Sequence, residues 1–225
     1  MQNQVLNIFT DASMLKTYGS AGYVAYVGSE PTPIDMGYTL ISHCTNNIAE
    51  IYAVMMGVLF ATRHKQEFPI IRLFSDSQWS VNSLTKWMFT WIYSIDQNGT
   101  MYNSSGQPVK NQIFFENIIH LILSEDLKIQ ICHCKGHVTD TYASIYNAQA
   151  VFRRSNSQYK GNNSNRDFIR WISNGNNFID QFTRSQLMNK SFIQLDKESI
   201  PAEALTPIRF RLNPEIISAY KAHLW

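Results

Sequence analysis

The chain has 225 residues, a net charge of +2 and 44% hydrophobic residues. This length suits one domain with additions, the apolar share supports a sizeable core, and the near-neutral balance excludes a polyanion binder that works by bulk charge, so any such site has to be local. No apolar run approaches the roughly 18 residues of a membrane span, and the opening MQNQVLNIFTDAS has no basic region followed by an apolar stretch, so neither membrane nor secretory leader is expected and the expected compartment is cytoplasmic.

In chain order, the pattern predicts strands over 5–11 (VLNIFTD), 22–28 and 36–42, separated by Gly, Ser and Pro as in a meander. A helix follows, opened by Asn46 or Asn47 as cap and running to about His64, with Ile51, Val54, Met55, Val58 and Leu59 at helical spacing. A fourth strand covers 70–76, and residues 77–93 are helical in pattern with an aromatic cluster of Trp79, Trp87, Phe89, Trp91 and Tyr93. After a polar, turn-rich 94–109 come a helix over NQIFFENIIHLILS and a fifth strand over 128–134. Residues 138–176 mix short helical stretches with a polar, Asn-rich segment, a helix is expected over 177–188, and the tail from 190 holds a terminal helix with Asn213 as cap and Pro214 as first residue. The order predicts an α/β fold: a five-stranded mixed sheet flanked by helices, in a single domain with additions. Cys132 and Cys134 flank His133 on the fifth strand, but no second Cys/His pair at finger spacing follows, so structural zinc is not expected.

Asp11 and Asp76 each close an apolar run, at strand ends where α/β sheets build sites. If their strands are neighbours, the two face each other across roughly 4.8 Å. Glu50, in the first turn of the intervening helix, either answers the helix dipole or completes a cluster. Three such carboxylates repel, no Lys or Arg adjoins them in sequence, and a hard divalent cation, Mg²⁺ or Mn²⁺, is the natural counter-charge. Either Asp alone reads equally as an ordinary turn former.

IFTDAS, TNNIAE and FSDSQ, followed by KWMFT-W, PVKN and KGH, resemble in order and separation the type 1 ribonuclease H family. The resemblance covers residues 4 to about 137 and 176 to about 188. It implies the ribonuclease H-like fold over 1–189, with 138–176 as a basic, Asn-rich insertion and 190–225 as a C-terminal extension. It further implies an endonuclease that hydrolyses the RNA strand of RNA–DNA hybrids with two Mg²⁺ ions, leaving 5′-phosphate and 3′-hydroxyl ends. The family's acids fall on Asp11, Glu50 and Asp76, and the fourth on Asp180 in NNFIDQF, four residues after Asn176, with Asp140 and Asp167 as rivals. His137 falls in the loop whose histidine passes protons. Substrate contacts fall on Asn46, Asn47 and Gln78, which can query minor-groove edges and 2′-hydroxyls, on Thr45 and Asn111 for a DNA-strand phosphate, and on Trp87 and Trp91 as an aromatic platform. Capping for the asparagines and core packing for the tryptophans are the structural alternatives.

Several positions depart from the family pattern. Ala12 stands where a glycine is common, and His43 where an arginine is frequent. The handle, 86–110, has only Lys86 and Lys110 against Asp96, so we expect the insertion, with Arg153, Arg154, Lys160, Arg166 and Arg170, to fold near the site and supply phosphate contacts; a disordered polar loop is the alternative. The tail is expected to pack on the core, or else to dock a protein partner through Phe192, Tyr220 and Trp225. A monomer is expected. Rival functions on the same fold are a binding module without catalysis and a DNA-cutting relative.

Overall fold

A computed structural model of the chain describes residues 5–159, 165–205 and 209–224. Three antiparallel strands, β1 (Val5–Leu15), β2 (Tyr18–Val27) and β3 (Asp35–Ser42), lead into helix α1 (Asn46–His64) and strand β4 (Ile70–Ser75). A helical stretch then runs as α2 (Gln78–Asn82), a π-helical turn over Ser83–Trp87, α3 (Met88–Trp91) and a 3₁₀ turn over Ile92–Ser94. Next come α4 (Gln112–Ser124), β5 (Ile129–His133), α5 (Tyr142–Ser155), α6 (Arg166–Met188), α7 (Phe192–Glu198), β6 (Ile200–Pro201) and, last, α8 (Pro214–Lys221).

The sheet has six strands, in the order β5-β4-β1-β2-β3-β6, not the five expected. The sixth comes from the tail: Ile200 and Pro201 pair with Ile41 and Ser42 at the β3 edge. Two residues carry no period-2 pattern, so the sequence gives no sign of it. The other edge is covered from the same segment, where Leu224 bridges to Ile129 and the Ile129 N–H donates to the His223 carbonyl (3.0 Å).

Alternation along β1 and β4 sends Leu6, Ile8, Ile71 and Leu73 to one face, against α1 and α4, and Phe9 and Phe74 to the other, against α5 and α6. Phe9 and Phe74 stack at 5.0 Å. Gly175 lets α6 approach this layer, since a Cβ there would lie 2.5 Å from the Phe9 ring. Cys132 and Cys134 are buried free thiols in the same layer.

The insertion is not a polar loop in its described part. Residues 166–188 form one helix, so the expected start at 177 is eleven residues late in a run the Asn-rich sequence disguised. Asn165 caps it, accepting from the Asp167 N–H (2.8 Å). Lys160 lies outside the described residues. The tail packs on the core: Tyr220 is fully buried and its hydroxyl donates to the Leu84 carbonyl (3.2 Å), so it is no part of a docking surface. Phe192 is half-exposed beneath Lys16, and Trp225 lies outside the described residues. Asn213 caps α8 as expected, its side chain accepting from the Ile216 N–H (2.8 Å). Among the described residues, no helix is long and apolar enough to cross a membrane.

Candidate active site

Parallel pairing of β1 with β4 sets Thr10 opposite Ser75, so the next residues, Asp11 and Asp76, emerge side by side. Asp11 does not end its strand, as the sequence suggested. β1 continues to Leu15 because β2 keeps pairing with it, Asp11 opposite Gly22, after β4 has stopped. Ala12, in that extended run opposite Ala21, carries its Cβ without strain, which answers the missing glycine.

Glu50 arrives from α1. The cap of α1 is Thr45, whose hydroxyl accepts from the Ile48 N–H (3.4 Å), and neither Asn46 nor Asn47. Three consecutive capping-type residues leave the choice to the backbone, and it moves Glu50 out of the first turn into the second, on the buried face. The dipole explanation of Glu50 therefore fails. One ligand oxygen each from Asp11, Glu50 and Asp76 lies within 4.8 Å of the others, and among the described residues this is the only acidic, Cys or His group so arranged.

Burial first, then the charge of Asp76, pushes the Asp11 carboxyl up to about 8, opposed by a hydrogen bond from the Ala12 N–H (2.8 Å). Burial, followed by the charges of Asp11 and Asp76, holds Glu50 well above the usual carboxylate range, opposed by a hydrogen bond to the Asn46 side chain. Oε2 of Glu50 is buried without a hydrogen-bond partner. None of the three carboxylates has a Lys or Arg ion pair among the described residues. Buried like charges with an orphaned oxygen and no counter-ion fit a hard divalent cation and are costly without one.

Asp180 comes from α6 on the opposite side of the sheet from α1. It is outside the three-carboxylate group, yet close enough that its charge raises both Asp11 and Glu50. Its Oδ2 lies 3.8 Å from Nδ1 of His137, which is exposed on the loop after β5 with a left-handed backbone (φ 52°). The rivals Asp140 and Asp167 are instead exposed partners of Arg170 (2.7 and 3.1 Å).

Two neighbours of Asp76 escape a reading based on acids alone. Asn176, four residues before Asp180 on the buried face of α6, donates to Asp76 Oδ2 (3.2 Å), and its own Oδ1 accepts from the Cys134 thiol (3.3 Å). Gly136 lies so close that a Cβ there would sit 2.2 Å from Asp76 Oδ2.

Beside the acids, Thr45, Asn46, Asn47, Lys110 and Asn111 line a cavity of about 530 Å³. Asn111 is left-handed (φ 57°) and makes no capping bond, so its amide is free to face the cavity. A second cavity of about 570 Å³ shares Asn47 and Lys110 and is walled by Trp79 and Trp91. Trp79 there was expected only as part of an aromatic cluster, without a site role. Trp87 packs on Trp91 (5.7 Å) outside that lining, with 38% of its surface exposed. Gln78 is exposed at the start of α2, two residues from Asp76. His43 is exposed and left-handed at the β3–α1 junction.

The RNase H family model matches residues 3–150. A ribonuclease H of Tropheryma whipplei is 35% identical over 152 residues, covering 67% of this chain and 87% of the relative. Ribonuclease HI of Haemophilus influenzae is 38% identical over 110 residues, covering 48% of this chain and 63% of the relative. Among solved structures, RNase H1 from the halophilic archaeon Halobacterium salinarum covers 69% of this chain and 99% of its own at 18% identity, with a TM-score of 0.42. The family match spans more than half of the sequence: the chain belongs to the ribonuclease H family of metal-dependent endonucleases that hydrolyse RNA paired to DNA.

Proposed function

We propose that this chain cleaves the RNA strand of RNA–DNA hybrids at Asp11, Glu50, Asp76 and Asp180, leaving 5′-phosphate and 3′-hydroxyl ends, with residues 1–189 as the catalytic unit. The observation that carries the reading is the convergence of three carboxylates from separate elements within 4.8 Å, one with an unpartnered buried oxygen. Asp11, Glu50 and Asp76 would hold a divalent cation, Mg²⁺ or Mn²⁺, and Asp180 a second. Bound there, such ions supply an activated water and stabilise the departing 3′-oxygen.

The chain's own residues do the rest. Asn176 holds the Asp76 carboxylate toward its neighbours. His137, exposed 3.8 Å from Asp180, takes or delivers a proton at its imidazole nitrogen as product leaves. Asn46, Asn47 and Gln78 present amides for minor-groove edges and the 2′-hydroxyl. Thr45, Lys110 and Asn111 line a pocket suited to a phosphate of the DNA strand, and Trp91 and Trp79 wall the groove beside it.

The test is cleavage of an end-labelled hybrid duplex beside double-stranded RNA and DNA, with Mg²⁺ or with chelator, for wild type and Asp11→Asn. Metal-dependent cutting confined to the RNA of the hybrid, and lost in Asp11→Asn, is expected. Equal cutting by the variant would refute the site, and preferential cutting of DNA would refute the substrate.

A further inference from the structure

At the far end of the sheet face that carries Asp11 and Asp76, three polar side chains lie in one row. Asn7 on β1 pairs in register with Arg72 on β4, and Arg72 with Gln130 on β5. The next rung on this face is Phe9, Phe74 and Cys132, so the row lies beneath the aromatic layer, roughly 13 Å along the strands from the acids.

The row is poorly satisfied. Asn7 is 3% and Gln130 2% exposed. Asn7 gives its amide to the Gly28 carbonyl (2.7 Å), but its Oδ1, both polar atoms of the Gln130 amide and Nε of Arg72 are buried without hydrogen-bond partners. Arg72 has no ion pair among the described residues. Its guanidinium lies over the Tyr159 ring, 5.1 Å from the centroid. Buried polar atoms are nearly always partnered, so this row is an unusual place in the sheet.

A cavity of about 370 Å³ opens directly on Arg72. Its walls are Tyr159, Phe168 and Trp171, a continuous aromatic row with Tyr159–Phe168 centroids at 5.6 Å and Phe168–Trp171 at 6.5 Å. Ser29, Asn165 and Asp167 complete the lining. The Asp167 carboxylate is already paired with Arg170 (3.1 Å), which leaves Arg72, lying over the Tyr159 ring, as the lining's cation without an ion pair among the described residues. Solvent would need no such wall. An aromatic wall beside a guanidinium without an ion pair among the described residues matches a heteroaromatic ring that carries an anion.

We propose that this cavity is a second site, separate from the carboxylates, which binds an unpaired nucleotide with its base against the Tyr159–Phe168–Trp171 row and its phosphate on Arg72. The amides of Asn7 and Gln130 flank Arg72 in the strand register, buried behind the cavity wall rather than lining it. The site is independent of the cleavage reading and needs no metal. A free mononucleotide and a nucleotide splayed from a single strand offer the same chemistry.

The experiment is a titration of the ¹⁵N-labelled full chain in chelator, following the Trp171 indole and the Gln130 and Asn7 side-chain amide signals. The probes are adenosine monophosphate, inorganic phosphate and a short single-stranded oligoadenylate. Saturable shifts of those signals by adenosine monophosphate are expected, with phosphate alone much weaker. Tighter binding of the oligonucleotide identifies a single strand as the source, and equal binding a free nucleotide. Arg72→Gln should weaken binding about tenfold, the worth of one charge-assisted contact, while hybrid cleavage with Mg²⁺ stays within about twofold. Ser29→Trp, at an exposed position, tests the cavity by blocking it if Arg72→Gln does not fold. No saturable shift at about 10 mM nucleotide, beyond the weak end of specific affinity, or undiminished binding in a folded variant, would overturn the proposal.

Discussion

Asn176 donates a hydrogen bond to Asp76 (3.2 Å) from one hundred residues further along the chain. The contact ties the buried face of α6 to the end of β4, and a second bond from Cys134 keeps the Asn176 amide from turning over. Asn176→Ala leaves Asp76 without this donor and the Cys134 thiol without its acceptor. We expect a loss of about 1–3 kcal/mol in urea melts. In steady-state cleavage of a hybrid, kcat should fall about tenfold or more while KM changes little, because the carboxylate loses its orientation and the substrate pockets do not.

Gly136 offers a sharper probe of the same carboxylate. An alanine Cβ at that position would overlap Asp76 Oδ2, which Asn176 and its neighbours hold in place. Gly136→Ala should therefore cost activity, on the order of tenfold to a hundredfold, because a displaced reacting group is penalised steeply even at ångström scale. It sits on a loop outside both main apolar clusters, so the thermal midpoint should move by only about 2–4 °C. Parallel rate and melting measurements separate the two effects, and an unaltered rate would show that Asp76 moves aside without consequence.

Asp11 links pH, metal and stability. Its carboxyl is raised from 3.8 to about 8 by burial and by the charge of Asp76. Between those values the folded chain binds more protons than the unfolded chain, so without metal its contribution to stability is present below about pH 4 and is lost as pH rises toward 8. Asp11→Asn removes that penalty. In chelator, the variant should gain on wild type progressively from pH 4 to pH 8, on the order of a few kcal/mol at the upper end, and the gap should close when Mg²⁺ is added at pH 8. Hybrid cleavage by the variant should drop by at least about a thousandfold. Melting curves at a series of pH values, with and without Mg²⁺, check the sign.

Arg153 and Arg154 close the last turn of α5 and are exposed, while Lys86 of the handle donates to the Ser155 carbonyl (3.1 Å). Handle and insertion thus bring their positive charge to one place, whereas Arg170 is spent on Asp140 and Asp167. Replacing Arg153 and Arg154 by alanine should reduce the slope of log affinity for hybrid against log salt by about one per lost phosphate contact. An unchanged slope would refute a substrate role for the insertion.

Much of the site was legible because its acids sit in short local frames: apolar strand residues before Asp11 and Asp76, and a capped apolar helix around Glu50. The details that failed are those that three-dimensional context decides. Thr45, Asn46 and Asn47 are equally good caps on paper, and the choice among them shifted Glu50 by one or two positions, out of the first turn. The continuity of α6 was not legible because Gly175 and four neighbouring polar residues interrupt its apolar pattern, yet Asn176 is buried there to serve Asp76 and Gly175 to admit Phe9. The tail packs on the core as expected, and of its docking alternative Tyr220 is excluded because its ring lies against Phe89 and its hydroxyl donates to the Leu84 carbonyl. The row of Asn7, Arg72 and Gln130 is invisible in one dimension, because its members lie on three strands and only register aligns them.

Both outer strands of the sheet are partly covered by the segment that follows α7, Ile200 and Pro201 on one flank and Leu224 on the other. Without that segment, those stretches of open backbone donors and acceptors would be available to any neighbouring polypeptide. The segment, which holds none of the candidate carboxylates, thereby acts as a guard against filament growth, and a variant lacking residues 200–224 is expected to aggregate.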